Sequence, residues 1–244
     1  MVSKSQIKLI TGLAQKKNRT KHGLFIVEGI KGIQEILNSN FELDSLFTTQ
    51  QIFYAPVAKT HQITEAELKK ISGLTTPQIA VAVFRIPEQK QPEFSGFSLA
   101  LDGIRDPGNL GTIIRLCDWF GIETLLCSPD TVDCYNPKVV QATMGSITRV
   151  NIVYNLLDEI IQTAGNRPVL GAFMEGENVY TSKLPGEGIL VMGNEANGIS
   201  AEVEKLVTKK ISIPPFGNSS STESLNVATA TAILLSEFRR QQNY

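Results

Sequence analysis

Three cysteines and two histidines are the only thiol and imidazole ligands that this chain of 244 residues offers toward a zinc centre. Cys117, Cys127 and Cys134 show no paired ligand spacing and His22 and His61 lie far from them in sequence, so no metal site is expected. No apolar run reaches membrane-spanning length, and Met1-Val2-Ser3-Lys4 leads into no signal-peptide core; a cytoplasmic protein with no membrane partner is the expectation. An excess of charge is missing too, since 23 Lys and Arg face 24 Asp and Glu for a net charge of −1. Any nucleic-acid role must therefore rest on local charge. The stretch from Gly103 to Gly111 does not supply the Gly-x-Gly-x-x-Gly turn of a nicotinamide dehydrogenase, and no Gly-Lys-Ser/Thr ending marks a P-loop. There is no internal repeat, and no low-complexity tract beyond Ser219 to Ser221. With 42% apolar and 19% charged residues, the composition is that of an ordinary globular protein.

The charge that is present is unevenly placed. Lys4, Lys8, Lys16, Lys17, Arg19 and Lys21 all precede the first acid, Glu28. The pattern from Val2 to Gly23 predicts one amphipathic helix with Ile7, Ile10, Leu13 and Ala14 on its apolar side. Its basic side is either a solubilising face or a surface for anions. A strand follows at Leu24 to Val27, then a helix through Ile30, Ile33, Ile36 and Leu37, and a strand at Ser45 to Thr48. Thr64-Glu65-Ala66-Glu67 is a capping box that opens a helix through Ile71, with a further strand at Ile79 to Arg85. These elements make a small α/β domain over residues 1–90. Pro87 to Glu93 holds two prolines and no large apolar side chain, as an extended connector does; the linker is set at 91–97 and a second domain at 98–244.

The second domain alternates strands and helices. Strands are expected at Ser98 to Leu101, Thr124 to Cys127, Val150 to Tyr154, Val169 to Phe173, Ile189 to Met192 and Ile211 to Ile213. Helices are expected at Thr112 to Phe120, Pro137 to Met144 and Leu156 to Ala164, so the sheet should be mainly parallel. The last two strands stop abruptly at Gly193-Asn194 and Pro214-Pro215, as buried parallel strands do. Loops at strand C-termini bind ligands. Thr222 or Ser224 is placed to cap a final helix whose apolar positions include Leu225, Ala228, Leu235 and Phe238.

Three short motifs sit on these loops. Asp106-Pro107-x-Asn109-x-Gly111-x-x-x-Arg115 follows the first strand, Gly193-Asn194-Glu195 with Gly198 follows the fifth, and Ile213-Pro214 precedes Ser224-Leu225-Asn226-Val227. An Asn at a helix start is ordinarily a cap, a Glu between Gly and Asn an exposed carboxylate, and a Ser before a helix another cap. Together, however, the three resemble motifs one, two and three of the SpoU family of RNA 2′-O-ribose methyltransferases, within the SPOUT superfamily. The run Lys17 to Gly29, Lys-x-Arg-x-Lys-x-Gly-x-Phe-x-Val-Glu-Gly, resembles the start of the substrate-binding domain that many of these enzymes carry first.

The resemblance implies a C-terminal domain tied in a deep trefoil knot, which simple topology rules would not predict, and S-adenosylmethionine as cofactor. The adenosine is expected on backbone groups of three loops, at Ala172-Phe173, Met192-Gly193 and Ile213 to Leu225, with Glu195, Gly198, Pro214, Ser224 and Asn226 also in the cofactor site. Asn109, Arg115, Glu195, Ser224 and Asn226 are the catalytic candidates, with Glu195 holding Asn109 and Arg115 in place. Arg115 positions the target and stabilises charge, because an arginine is permanently protonated. A direct base role would need the adjacent phosphate, a water or Ser224 as relay. RNA contacts are assigned to Lys16, Lys17, Arg19, Lys21, Arg105 and Arg115. Ribosomal RNA is the favoured partner, transfer RNA the runner-up, and a homodimer through the C-terminal domain is implied, with Leu234, Leu235 and Phe238 serving core or interface. A non-catalytic RNA-binding or ribosome-assembly protein is the rival from another class. The sequence departs from the family in a longer loop at Asn218 to Glu223, in Pro215, where Met is frequent, and in Gln141 and Thr148, where basic and aromatic residues are common.

Overall fold

The computed structural model describes residues 1–217 and 224–243. It consists of two compact units, Met1–Glu88 together with Asp133–Thr148, and Gln89–Val132 together with Arg149–Tyr244. Thr222, one of the two candidate caps of the final helix, lies outside the described residues.

The first unit opens with two helices, α1 (Lys4–Gly12) and α2 (Lys16–His22), where one was expected. The break has a chemical cause. Arg19 is 2% exposed, and its Nη1 donates to the carbonyls of Leu13 and Ala14 at 2.8 and 2.9 Å, oxygens that a continuous helix would use for its own ladder. Its Nε and Nη2 both donate to Asp133 Oδ2, at 2.9 and 2.6 Å. After β1 (Leu24–Glu28) come α3 (Ile30–Leu37), β2 (Leu43–Thr48), β3 (Thr60–Gln62), α4 (Glu65–Ile71) and β4 (Ala80–Arg85). The sheet runs β1-β4-β2-β3, with β4 antiparallel to β1 and β2, and β3 parallel to β2. Short β3, with no apolar alternation, gave no strand signal in the sequence. The capping box at Thr64 forms as expected. Glu67 Oε1 also accepts the Val2 N–H at 2.9 Å. Ile10, Leu13, Ile26, Phe47, Leu68 and Val81 share one core. The segment Asp133–Thr148 completes this unit: the Tyr135 ring lies 4.8 Å from that of Phe25. At Gly145, where φ is +96°, a Cβ would stand 2.5 Å from Glu35 Cβ.

The second unit comprises β5 (Phe97–Leu101), α5 (Pro107–Trp119), β6 (Thr124–Cys127), β7 (Asn151–Tyr154), α7 (Leu157–Gln162), β8 (Val169–Asn178), β9 (Gly188–Met192), α8 (Ala201–Glu204), β10 (Lys209–Ser212) and α9 (Val227–Asn243), the helix Pro137–Thr143 of the first unit being α6. Its six strands are all parallel, in the order β10-β8-β9-β5-β6-β7. Both faces are covered, so strands such as Gly188–Met192 are buried at every position and read as unbroken apolar runs. Helix α5 starts five residues before the expected Thr112, because Asp106 caps it through the Asn109 N–H at 2.8 Å and Pro107 suits the first turn. Asn109 thus lies inside the first turn and not ahead of the helix. In β8, Gly171 pairs with Lys210 while Glu177 pairs with the next residue, Ile211. Ala172 to Gly176 are therefore looped out from the ladder. Leu234, Leu235 and Phe238 of α9 are buried within this unit, Phe238 with its ring 4.4 Å from that of Phe97. Among the described residues no helix is long and apolar enough to cross a membrane, and no cluster of three His, Cys, Asp or Glu could hold a metal.

Candidate active site

The C-terminal ends of β5 and β9 and the start of α9 converge. Asn226 caps α9: its Oδ1 accepts the N–H groups of Ala228 and Thr229 at 3.0 and 3.2 Å. The sequence placed Asn226 within the first turn and the cap at Thr222 or Ser224; the helix begins at Val227. The other end of the same amide donates from Nδ2 to Asn109 Oδ1 at 2.9 Å, and Asn109 Nδ2 donates to Glu195 Oε1 at 2.6 Å. Every donor in this chain points the same way, from the positive end of a helix to a carboxylate. Hydrogen bonds aligned head to tail polarise and strengthen one another. Three segments far apart in sequence are fastened by two amides.

Glu195 stands in a tight loop held by Asn194, a motif residue to which the sequence assigned no role beyond the turn. Asn194 exchanges backbone hydrogen bonds with Gly198 at 2.9 and 2.8 Å. Its side chain accepts from the Ala196 and Asn197 N–H groups and donates to the Gly103 carbonyl at 2.6 Å. Asp102 adds a second tie, accepting the Ser200 N–H at 2.7 Å. The loop closes so tightly that a Cβ on Gly193 would lie 2.3 Å from the Gly198 backbone, and Gly198 itself has φ +68°. Only glycine fits both demands.

Beside this loop is a cavity of 670 Å³, within the size range of small-molecule sites. Its walls are the looped-out part of β8, with Ala172 and Phe173; the loop after β9, with Met192, Gly193, Glu195 and Gly198; Ile213 after β10; and Ser224 and Leu225 before α9. Nine of the eleven expected cofactor residues therefore line one space. Pro214 and Asn226 do not, Asn226 being turned toward Asn109. Sequence reasoning missed Val227, Ala230 and Leu234, which also line it; their i, i+3, i+7 spacing along α9 was the available signal. It missed Lys210 and Glu204 as well, paired at 2.5 Å with the Lys210 ammonium 4.5 Å above the Phe173 ring. An apolar floor bordered by loop backbone and a few polar side chains suits a nucleoside carrying a charged tail, so the lining fits S-adenosylmethionine.

Arg115 lies six residues beyond Asn109 on α5. It is exposed and makes no hydrogen bond or ion pair among the described residues, so Glu195 meets Asn109 but not Arg115. Arg105 is 70% exposed and 3.7 Å from Asp130. In the first unit Lys16, Lys17 and Lys21 are exposed on α2. Arg19 differs from them: its guanidinium is consumed by Asp133 and two carbonyls inside the unit, so the expectation that it contacts RNA is corrected. Cys117 is fully buried, and burial pushes its thiol well above the ordinary range.

Residues 96–236 match the SpoU rRNA Methylase family, and residues 4–82 match the MRM3-like substrate binding domain. The chain is 29% identical over 234 residues to the 23S rRNA (guanosine(2553)-2′-O)-methyltransferase RlmP of Bacillus subtilis, covering 93% of each protein. Among solved structures, it is 39% identical to a putative RNA methyltransferase of the TrmH family from Porphyromonas gingivalis, with a TM-score of 0.91 and 99% of both chains covered. An AdoMet-bound rRNA methyltransferase from Sinorhizobium meliloti is 30% identical, with a TM-score of 0.87 over 100% of this chain and 98% of that one.

Proposed function

The chain belongs to the SpoU rRNA methylase family, and from that membership we infer that it transfers a methyl group from S-adenosylmethionine to a ribose 2′-hydroxyl of RNA, with ribosomal RNA as the substrate class. The observation that carries this reading is the hydrogen-bonded chain Asn226–Asn109–Glu195 at the edge of the 670 Å³ cavity. A protein that only bound RNA would have no need of an amide relay beside a nucleoside-sized pocket.

S-adenosylmethionine supplies an activated methyl group on its sulfonium. The chain's own residues must then position a hydroxyl and remove its proton, and good alignment alone is worth up to roughly 7–11 kcal/mol. Arg115, whose fork has no partner among the described residues, takes the phosphate next to the target ribose by two parallel hydrogen bonds. The Asn226–Asn109–Glu195 chain fixes the first turn of α5 and so the base from which Arg115 projects. Ser224, exposed on the cavity wall, relays the proton from the hydroxyl toward that phosphate or solvent through Oγ. The walls at Ala172-Phe173, Met192-Gly193, Ile213, Ser224 and Leu225 hold the adenosine, in a C-terminal domain tied in a knot. Residues 1–90 serve as the RNA-gripping domain, and the protein works in the cytoplasm as a homodimer through its C-terminal domain.

Calorimetry with S-adenosylmethionine and mass spectrometry of ribosomal RNA from a strain lacking the protein test the reading together. The expected results are binding at one site per chain and the loss of one 2′-O-methyl mark. No binding at millimolar cofactor would overturn the enzymatic reading.

A further inference from the structure

The connection from β2 to β3 carries three apolar side chains into solvent. Tyr54 is 103% exposed, Val57 90% and Ile52 45%. Surface apolar residues occur singly everywhere, but three within six positions of one loop concentrate exposed apolar surface in a short segment, as interaction sites do. The loop is not slack. Lys59 Nζ donates to the Leu43 carbonyl at 2.5 Å, Gln62 Nε2 to the Thr49 carbonyl at 2.8 Å, and the Thr60 hydroxyl to the Pro56 carbonyl at 2.9 Å. Pro56 and a single 3₁₀ turn, Val57–Lys59, stiffen its second half. Tyr54 is thus held out from the sheet edge by an anchored frame, with no partner for its ring among the described residues.

The charge of the unit that carries it bears on the occupant; in the loop itself the one cation, Lys59, is paired with Glu42 at 3.3 Å. From Thr49 to Ala58 there is no acidic residue. The unit to which the loop belongs holds twelve Lys and Arg against eight Asp and Glu, a net charge of +4, whereas the other unit holds eleven against sixteen, a net of −5. An uncharged aromatic loop on the positive unit of a slightly acidic protein matches a polyanion that also offers flat apolar faces. Single-stranded RNA is recognised in this way, by rings that stack on unpaired bases beside cations that meet phosphate.

We propose that the loop Thr49 to Lys59 is a base-stacking site, with Tyr54 as the platform for an unpaired nucleobase of the RNA substrate and Ile52 and Val57 as its apolar flanks. The proposal rests on the methyltransferase reading for the identity of the RNA as a substrate. It adds where on the first unit an unpaired base is held.

The probe is an RNA hairpin with 2-aminopurine in its unpaired loop, compared with a fully paired duplex of the same composition. For the parent protein, binding should quench the 2-aminopurine fluorescence. Tyr54→Ala should weaken hairpin binding about tenfold, abolish the quenching and leave both duplex binding and the salt slope unchanged. Tyr54→Trp should restore both affinity and quenching. S-adenosylmethionine binding, followed by calorimetry in every variant, shows that the fold and the cofactor site are intact. Hairpin binding and quenching by Tyr54→Ala equal to the parent's would overturn the stacking site while leaving the methyltransferase reading standing. Loss of cofactor binding by the parent itself would instead remove that reading. If Tyr54→Ala leaves RNA binding unchanged but alters the sedimentation of the protein, the loop is a protein contact and the proposal fails.

Discussion

Asn226 and Asn109, 117 positions apart in the chain, are joined by a single amide-to-amide hydrogen bond of 2.9 Å. Asn226 uses one end of its amide to cap α9 and the other to hold Asn109, and the two tasks can be separated chemically. Asp caps a helix as well as Asn does but has no donor for Asn109. Asn226→Asp is therefore expected to melt within a few degrees of the parent and to lose methyl transfer by about tenfold or more, the scale of one or two positioning hydrogen bonds. Asn226→Ala should lose both, with about 1 kcal/mol of stability gone with the cap. Thermal denaturation alongside a methyl-transfer assay decides; full activity in the Asp variant would show that the amide relay is idle.

Arg115→Ala is expected to abolish methyl transfer while cofactor affinity stays within about twofold, because the side chain is on the exposed surface of α5 and does not line the cavity. Arg115→Lys should recover little, since a point charge does not reproduce a forked contact. Turnover near the parent's in the lysine variant would rule out the bidentate role.

The cations of the first helices divide into two kinds. Replacing Lys16, Lys17 and Lys21 by Gln should flatten the slope of log affinity for RNA against log salt by about 0.7 for each phosphate that is no longer neutralised, with stability unchanged. Arg19→Gln should do the reverse: it leaves Asp133, 15% exposed, without its partner and should cost about 3 kcal/mol of stability. An Arg19→Gln protein as stable as the parent would contradict the buried pairing.

The carboxyl of Glu67 is held down to about 2, chiefly by the backbone N–H of Thr64 and then by that of Val2. A lowered folded-state pKa means that its contribution is fully present above the ordinary value of 4.5 and is lost as pH falls through 2. Glu67→Gln should therefore lower stability at pH 7 and shrink the difference between pH 5 and pH 2. Urea titrations at those three pH values measure it, and an acid limb as steep in the variant as in the parent would assign the effect to other carboxylates.

Most of the second unit was legible because its strands are covered on both faces. Ile189 to Met192 and Ile211 to Ile213 read as short apolar runs cut off by turn residues, and the polar motifs follow those cuts. What the sequence hid was long-range. Arg19 stands in a run of lysines and looks like one of them, since nothing near it betrays an aspartate 114 positions away. Val169 to Phe173 reads as one strand, yet the ladder breaks after Gly171 and resumes only at Glu177, and the residues between swing out to form the cavity wall. Asn226 has low helix propensity anywhere; only the partner on its far side, Asn109, explains why the helix begins after it rather than at Ser224. Tyr54 gave no signal at all, because periodicity speaks of what is buried and is silent about a ring held in solvent.

The discontinuous first unit bears on how the protein is made. Its last strand ends at Arg85, but it is complete only when Thr148 has been synthesised, 60 residues after Glu88. At ordinary translation rates that interval lasts roughly 3–12 s. Throughout it the groove for Asp133 and Tyr135 stands open on the nascent chain, with the Arg19 guanidinium unneutralised and the Phe25 ring uncovered on that side. Residues 1–88 must therefore wait on the ribosome, unfinished, while β5, α5 and β6 emerge behind them.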